Sequence, residues 1–415
     1  MKKIIIILLI TAMSGNIFSQ KKELKIVEKF IKSEDFNSAI KNLELISNSI
    51  ESSENKIKAK YYYLKGLSLY QNGESDFDMQ NNAIKQFKIS KSLNVGDISE
   101  KSVKILQSIF NNYIEKYNSL YDNKNFTDSY KHIESAYRIY EKDTFYLYNA
   151  AIVANQAKLY KESLQHYLEL VDMGYTGISM GYYATEKESG KESMFNDKKS
   201  RDLVVKFGTH DNPRDIKSQS QEVNILRQIS AIYKRNEDFD NSLKYLDNAL
   251  DVNENDVNVI LDKASLYWTM GNIQEYEVSI SKVLEIDPNN YELLCNLAIL
   301  NKEKGNYEEA TKFINRAIQI DDKNIRGITI AGEILLQPAD EILDEMNSLG
   351  NSRSDYKKYD ELNEKRELVM LEAVTFFEKA FQIDNENQFV ITTLYKLYSN
   401  LGNEEKYEFY KNLVK

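Results

Sequence analysis

From Val223 to Asn324 the chain repeats itself every 34 residues, as three ungapped units at 223–256, 257–290 and 291–324. The eighth position of each unit is small: Ser230, Ala264 and Ala298. The twentieth positions are Ser242, Tyr276 and Ala310, and the twenty-seventh are Ala249, Val283 and Ala317. Each unit closes on a turn: Asn253-Glu254-Asn255, Asp287-Pro288-Asn289-Asn290 and Asp321-Asp322-Lys323-Asn324. This period and grid predict pairs of antiparallel helices stacked into a solenoid, each pair burying its apolar face against its neighbours. Small residues at positions 8 and 20 let the two helices of a unit approach, and position 27 lets the second helix meet the next unit. A bulky side chain at such a contact costs about 1–3 kcal/mol in overpacking. Tyr276, at a position that is otherwise small, predicts a looser pair. The pattern fixes the kind of object and leaves open which molecule it holds.

The strongest unit reads Tyr291, Leu294, Leu297, Ala298, then Gly305-Asn306-Tyr307-Glu308-Glu309-Ala310, then Ala317 and Ile320-Asp321. The unit before it supplies Ala264, Tyr267, Gly271 and Asp287-Pro288. These residues resemble the tetratricopeptide repeat family. The resemblance implies an all-α fold, an α-solenoid of about nine antiparallel helix pairs. Fainter copies fill the rest of the chain. Phe36 and Ala39 mark unit 20–55, and Gly66, Gly73, Ala83 and Phe87 mark unit 57–95. Phe126, Ser129, Ile133 and Ala136 mark unit 98–142, whose first helix is long. Ala150, Ala151, Tyr160, Ser163 and Tyr167 mark unit 144–173. Ala331-Gly332 opens another unit at Ile325, whose second helix carries Ala373, Phe377 and Ala380, and a last unit starts at Gln388.

Residues 1–19 have the order of a cleaved secretory signal peptide: Lys2 and Lys3, an apolar run from Ile4 to Ile10, then small and polar residues to Ser19. No other stretch is apolar enough to span a bilayer, so the mature chain is expected to have no membrane span. No cysteine follows the apolar run, which argues against a lipid anchor there. The formal charge is -10, and -12 once Lys2 and Lys3 leave with the leader. That balance argues against nucleic acid, whose binders need a basic stripe. The one cysteine, Cys295, excludes an intrachain disulfide and reads as a small core residue of the best repeat.

The repeat breaks twice. In 174–222, short runs at Tyr182–Thr185 and Glu192–Phe195 flank Glu188-Ser189-Gly190-Lys191 and predict a small β-hairpin. A short helix with Leu203, Val204 and Phe207 and a stop at Gly208 follows, and Thr209–Gln221, with Pro213, reads as a linker. The domain order is then a signal peptide at 1–19, an N-terminal array at 20–173, the insertion at 174–222 and a C-terminal array at 223–415. The second break is a helical insertion at about 337–365. There Gln337-Pro338 is expected to end a helix, and Ile342, Leu343, Met346 and Leu349 form an apolar stripe for Tyr359 and Leu362 to receive. A long helix from about Asp355 to Ile383 follows.

No phosphate loop, metal-spaced Cys/His cluster or nucleophile elbow stands in the sequence. The expectation is a non-enzyme without catalytic residues, metal or cofactor; the adjacent His210-Asp211 lacks any accompanying nucleophile. The family resemblance implies that positions 2, 5, 9, 12 and 13 of each first helix line a concave groove. On this chain that register gives Tyr63, Leu67, Tyr70, Asn118, Tyr121, Phe145, Tyr148, Ile152 and Asn155, an aromatic surface interleaved with amides. Aromatic rings bury area at little entropic cost, and amides pair with peptide backbone. A register shifted by one would make these rings core. Arg227, Lys234 and Arg235 form a basic spot suited to a carboxylate. The expected function is a scaffold or adaptor of the bacterial cell envelope, in the periplasm or at the outer membrane. It would bind an extended peptide or protein partner of the kind found in outer-membrane or secretion assemblies. The alternatives are a periplasmic ligand-binding protein or enzyme with its site at the 174–221 insertion, and a structural spacer.

Overall fold

The computed structural model describes residues 20–415, and the leader read over 1–19 lies outside them. The described chain is a run of helices interrupted by one small sheet. The helices fall into nine consecutive pairs: α1 (20–32) with α2 (Phe36–Ile50), α3 (Asn55–Tyr70) with α4 (Phe77–Ser92), α5 (Gly96–Asp122) with α6 (Phe126–Ile139), and α7 (Thr144–Gln156) with α8 (Tyr160–Asp172). After the sheet and its short helix α9 (Lys198–Lys206) come α10 (Glu222–Arg235) and α11 (Phe239–Val252), then α12 (Val257–Thr269) and α13 (Ile273–Ile286). Then come α14 (Tyr291–Glu303) and α15 (Tyr307–Ile320), α16 (Ile325–Asn347) and α17 (Arg353–Ile383), and α18 (Gln388–Asn400) and α19 (Glu404–Lys411). The chain is an all-helical solenoid with a small β insertion.

Two chemical devices repeat along it. The residue that closes each 34-residue unit caps the next first helix: the side chains of Asp256, Asn290 and Asn324 accept from backbone N–H groups at the start of α12, α14 and α16. In seven of the pairs the turn holds one residue in the left-handed region. Gly271, Gly305 and Gly402 occupy it at φ +75°, +77° and +66°. In other pairs Glu34, Lys124, Lys158 and Glu237 take the same conformation at φ +59° to +62°, against their steric preference.

The small-residue grid is buried as expected. Ala264, Ala298, Ala310, Ala249, Val283 and Ala317 are at most 1% exposed, with Ser230 and Ser242 also buried. Two glycines make the same kind of contact in weaker pairs. A Cβ on Gly66 would stand 2.6 Å from the Phe87 ring, and one on Gly332 would stand 2.7 Å from the Phe377 ring. Cys295 is fully buried, and burial pushes its thiol above the usual range.

The chain divides into two compact units, one ending at Ile232 and the other running Tyr233–Lys415. The division falls inside α10 rather than before it, so the insertion belongs with the first unit.

Three expectations need correction. Thr209–Gln221 is not a linker: His210–Lys217 is a strand, β3, antiparallel to β1 (Met180–Glu186), which also pairs with β2 (Glu192–Phe195). The order β2-β1-β3 leaves β3 at an edge, where Pro213 can lack an N–H without breaking a ladder. The buried Arg201 of α9 locks this sheet, donating to the carbonyls of Tyr183 and Arg214 and pairing with Asp215. Second, Pro338 does not end a helix, since α16 runs through it. The lost hydrogen bond is offset by packing on both sides: Ile334, Ala339 and Met346 stay buried along the extensive α16–α17 contact. Third, of the two residues expected to receive the stripe, Leu362 is buried and Tyr359 is 47% exposed.

Candidate functional site

Tyr276 is too large for the seam between α12 and α13, yet those helices pack about as closely as α14 and α15. The sparser contact lies between α13 and α14. The Tyr276 ring turns out of the seam and rests against Trp268, with ring centres 5.1 Å apart at 58°. Burial raises its hydroxyl above the usual tyrosine range. The looseness expected within a pair therefore falls between successive pairs, where it opens a cavity of about 510 Å³.

Three helices build the walls of this cavity. α12 presents Leu261, Ser265 and Trp268; α13 presents Tyr276 and Ile280; α14 presents Asn296, Ile299 and Glu303. Its size lies within the ~300–1,000 Å³ of sites that bury a small molecule or a few side chains. Trp268 is the chain's one tryptophan and is 53% exposed. The polar groups are fixed from outside the cavity. Lys234 Nζ donates to Ser265 Oγ at 2.9 Å, and Arg326 Nη2 donates to Asn296 Oδ1 at 2.8 Å while also pairing with Glu292. Glu303 is the carboxylate among the lining residues. The arrangement is an apolar aromatic slot with a polar rim. Among the described residues no group of three or more His, Cys, Asp or Glu is placed to hold a metal ion.

The sequence-predicted groove residues are distributed differently. Tyr63, Leu67 and Tyr70 of α3 are half-buried against the cores of the first pairs, with Tyr63 6.1 Å from the Phe87 ring. Burial raises the hydroxyls of Tyr63 and Tyr70 above their usual range. Asn118 stands exposed on α5. Tyr121 accepts a hydrogen bond from Gln156 Nε2 at 3.1 Å and packs on Tyr117 and Phe126. The amides and hydroxyls nearer the insertion are already used. Asn155 Nδ2 donates to Gln228 Oε1 at 2.9 Å, and the Tyr148 hydroxyl donates to Gln221 Oε1 at 3.1 Å. Ile152 lies half-buried between them on α7.

Phe145 and Tyr148 do share a cleft, and its other wall is the foot of the insertion: Tyr175, Gly177, Ile178, Ser179, Ser218 and Gln221, enclosing about 820 Å³. Phe145 is 57% exposed there. The predicted groove residues Phe145 and Tyr148 and the foot of the insertion therefore line the same cleft. Lys234 is committed to Ser265, Arg227 is half-buried and Arg235 exposed on the same helix. His210 turns from Asp211 to Thr209 and the Phe195 ring.

Sequence reasoning missed Trp268. The signal was present: in unit 257–290 positions 5, 9 and 12 are Leu261, Ser265 and Trp268, all lining the cavity. The groove register, applied to the strongest repeats rather than the weakest, reaches it.

Sequence models described as tetratricopeptide repeat match residues 257–290 and 280–312. No curated protein matches the chain. Among solved structures, the chain is similar to a tetratricopeptide repeat protein from Parabacteroides merdae, at 15% identity over 70% of this chain and 99% of that one, TM-score 0.37. It is also similar to a TPR repeats protein from Bacteroides fragilis, at 15% identity over 62% and 98% of the two chains, TM-score 0.35. A third is YrrB, described as a TPR protein with an unusual peptide-binding site, at 16% identity over 52% and 88%, TM-score 0.34.

Proposed function

We propose that this chain, which carries tetratricopeptide repeats over residues 257–312, is a non-enzymatic scaffold of the bacterial envelope that captures a protein partner through the Trp268 cavity. Tetratricopeptide repeats imply a protein–protein interaction scaffold, and the half-exposed tryptophan at the mouth of an apolar slot carries the assignment of place. Interfaces concentrate their energy in such residues: an aromatic anchor, desolvated on binding, typically accounts for about 2 kcal/mol or more on truncation. An apolar side chain of an extended partner segment enters between Trp268 and Ile299, and Ser265 and Asn296 meet its backbone at the rim. Export is supported by the order of residues 1–19 and is checked by the N-terminus of the mature protein, expected near Gln20.

A second reading has its own observation. Phe145 is exposed in the cleft under the insertion foot, where Ile178 is 49% exposed opposite it. The two readings separate in one experiment. Partner captured from envelope extracts by tagged protein is compared for Trp268→Ala and for Phe145→Ala. Loss with Trp268→Ala alone, at unchanged melting, supports the first. Loss with Phe145→Ala alone replaces it with the second.

A further inference from the structure

We propose that the lysine-lined end of the first two helix pairs is a docking surface for an anionic lipid bilayer. Lys21, Lys22 and Lys25 of α1 and Lys56 and Lys60 of α3 surround a cavity of about 430 Å³. Its floor is apolar, formed by Leu24 and Ile57 at 1% and 3% exposure. Among the described residues no carboxylate lines it. Lys21, Lys22, Lys25 and Lys56 are exposed, and among the described residues Lys60 is paired, with Glu28 at 3.0 Å. The nearest acids in sequence are Glu23, half-buried on α1, and Glu54, exposed at the start of α3. Lysine stems that cover apolar surface leave their ammonium groups directed at solvent.

Two observations choose the occupant. The first is charge. A chain of net charge -10 gathers five lysines at one end, against the sign of the whole. The second is position. The apolar run Ile4–Ile10 ends about a dozen residues before Lys21, so the lysines follow directly on the membrane-directed segment. A basic cluster beside such a segment is the pattern that anionic lipid headgroups attract. Removal of the leader would not reverse this, because a new amino group near Gln20 adds positive charge at the same end.

Each basic residue held close to an anionic surface contributes about 1 kcal/mol, roughly fivefold in partitioning. The contribution fades over a Debye length of about 10 Å at 0.1 M salt. The test is flotation of the full chain with phosphatidylcholine vesicles and with the same vesicles containing phosphatidylglycerol. Lys2 and Lys3 of the leader would also favour the anionic vesicles, so the readout is the change in the ratio between variants and wild type, which share the leader. The wild type is expected to prefer phosphatidylglycerol and to lose that preference as salt rises. K21Q/K22Q/K25Q/K56Q should lower the ratio roughly 600-fold, and K21Q/K22Q alone roughly 25-fold if the quadruple variant does not fold. K187Q/K191Q/K199Q/K206Q, with the same charge change on the insertion, should leave it unchanged. Equal flotation of the patch variants and wild type overturns the proposal, and so does an equal loss in the insertion variant. Release of the protein by polyglutamate or inorganic phosphate at matched ionic strength also overturns it, by showing a site for soluble anions.

Discussion

Gly66 touches Phe87 more closely than any side chain allows, and this contact gives a sharp test of how helix pairs seat. A Cβ at Gly66 would lie 2.6, 2.7 and 2.8 Å from three carbons of the ring, which is fully buried and has nowhere to retreat. Gly66→Ala gains about 1 kcal/mol of helix propensity and incurs about 1–3 kcal/mol of overpacking. The net is a loss of up to about 2 kcal/mol. Phe87→Ala removes the obstacle at a loss of about 3–5 kcal/mol. In that background Gly66→Ala should change sign and stabilise by up to about 1 kcal/mol. The coupling across the cycle is then about 1–3 kcal/mol, within the range found for residues in contact. Urea melts followed by circular dichroism measure it. Trp268 lies in the other compact unit, so its fluorescence separates the two transitions. If Gly66→Ala stabilises the wild type as much as the Phe87→Ala variant, the close approach of α3 and α4 does not exist.

Other outcomes follow from the same physics. Ala298→Leu and Ala310→Leu should each destabilise the second unit by about 1–3 kcal/mol in fluorescence-detected melts. Lys158→Gly, which relieves a left-handed non-glycine residue at φ +62°, should stabilise the first unit by roughly 0.5–1 kcal/mol in urea melts, and Gly305→Lys should do the reverse to the second. His132 and His166 have pKa values lowered, chiefly by burial. His166 faces Tyr130, Glu134, Arg138, Glu162 and Glu169, and His132 faces Phe77, Tyr113, Lys116, Asp128 and Lys131. Because the unfolded chain binds these protons more readily, stability of the first unit should fall as pH drops below about 6.5. Thermal melts of His132→Gln/His166→Gln should show a weaker dependence over that range.

The legible parts of the fold were those with punctuation. Units 257–290 and 291–324 carry glycine at the left-handed turn, Gly271 and Gly305, and a capping side chain at each start, and the first residue of each unit is the first residue of α12 and of α14. Where Lys124 or Lys158 holds the same conformation, no residue type announces the turn, and only apolar spacing remained. Pro338 misled because a local rule was overridden by packing along α17, and Pro213 because an edge strand tolerates what a central one does not. The site was less legible for a different reason. The groove register finds positions but not whether neighbours already occupy them. Gln221 and Gln228, distant in sequence, consume the polar groups of Tyr148 and Asn155. Tyr276 was recognised as a misfit, but that its ring would turn out to Trp268 depends on geometry between successive pairs.

Site-specific photocrosslinking in native envelopes tests the central claim most directly. A benzoylphenylalanine is placed at Ile299 in the cavity, at Phe145 in the first-unit cleft, and at exposed Glu285 on α13 as a control. The account predicts one discrete protein adduct from position 299, none from 285, and disappearance of the adduct when Trp268→Ala is added. An adduct from 145 alone, or one from 299 that survives Trp268→Ala unchanged, would contradict it.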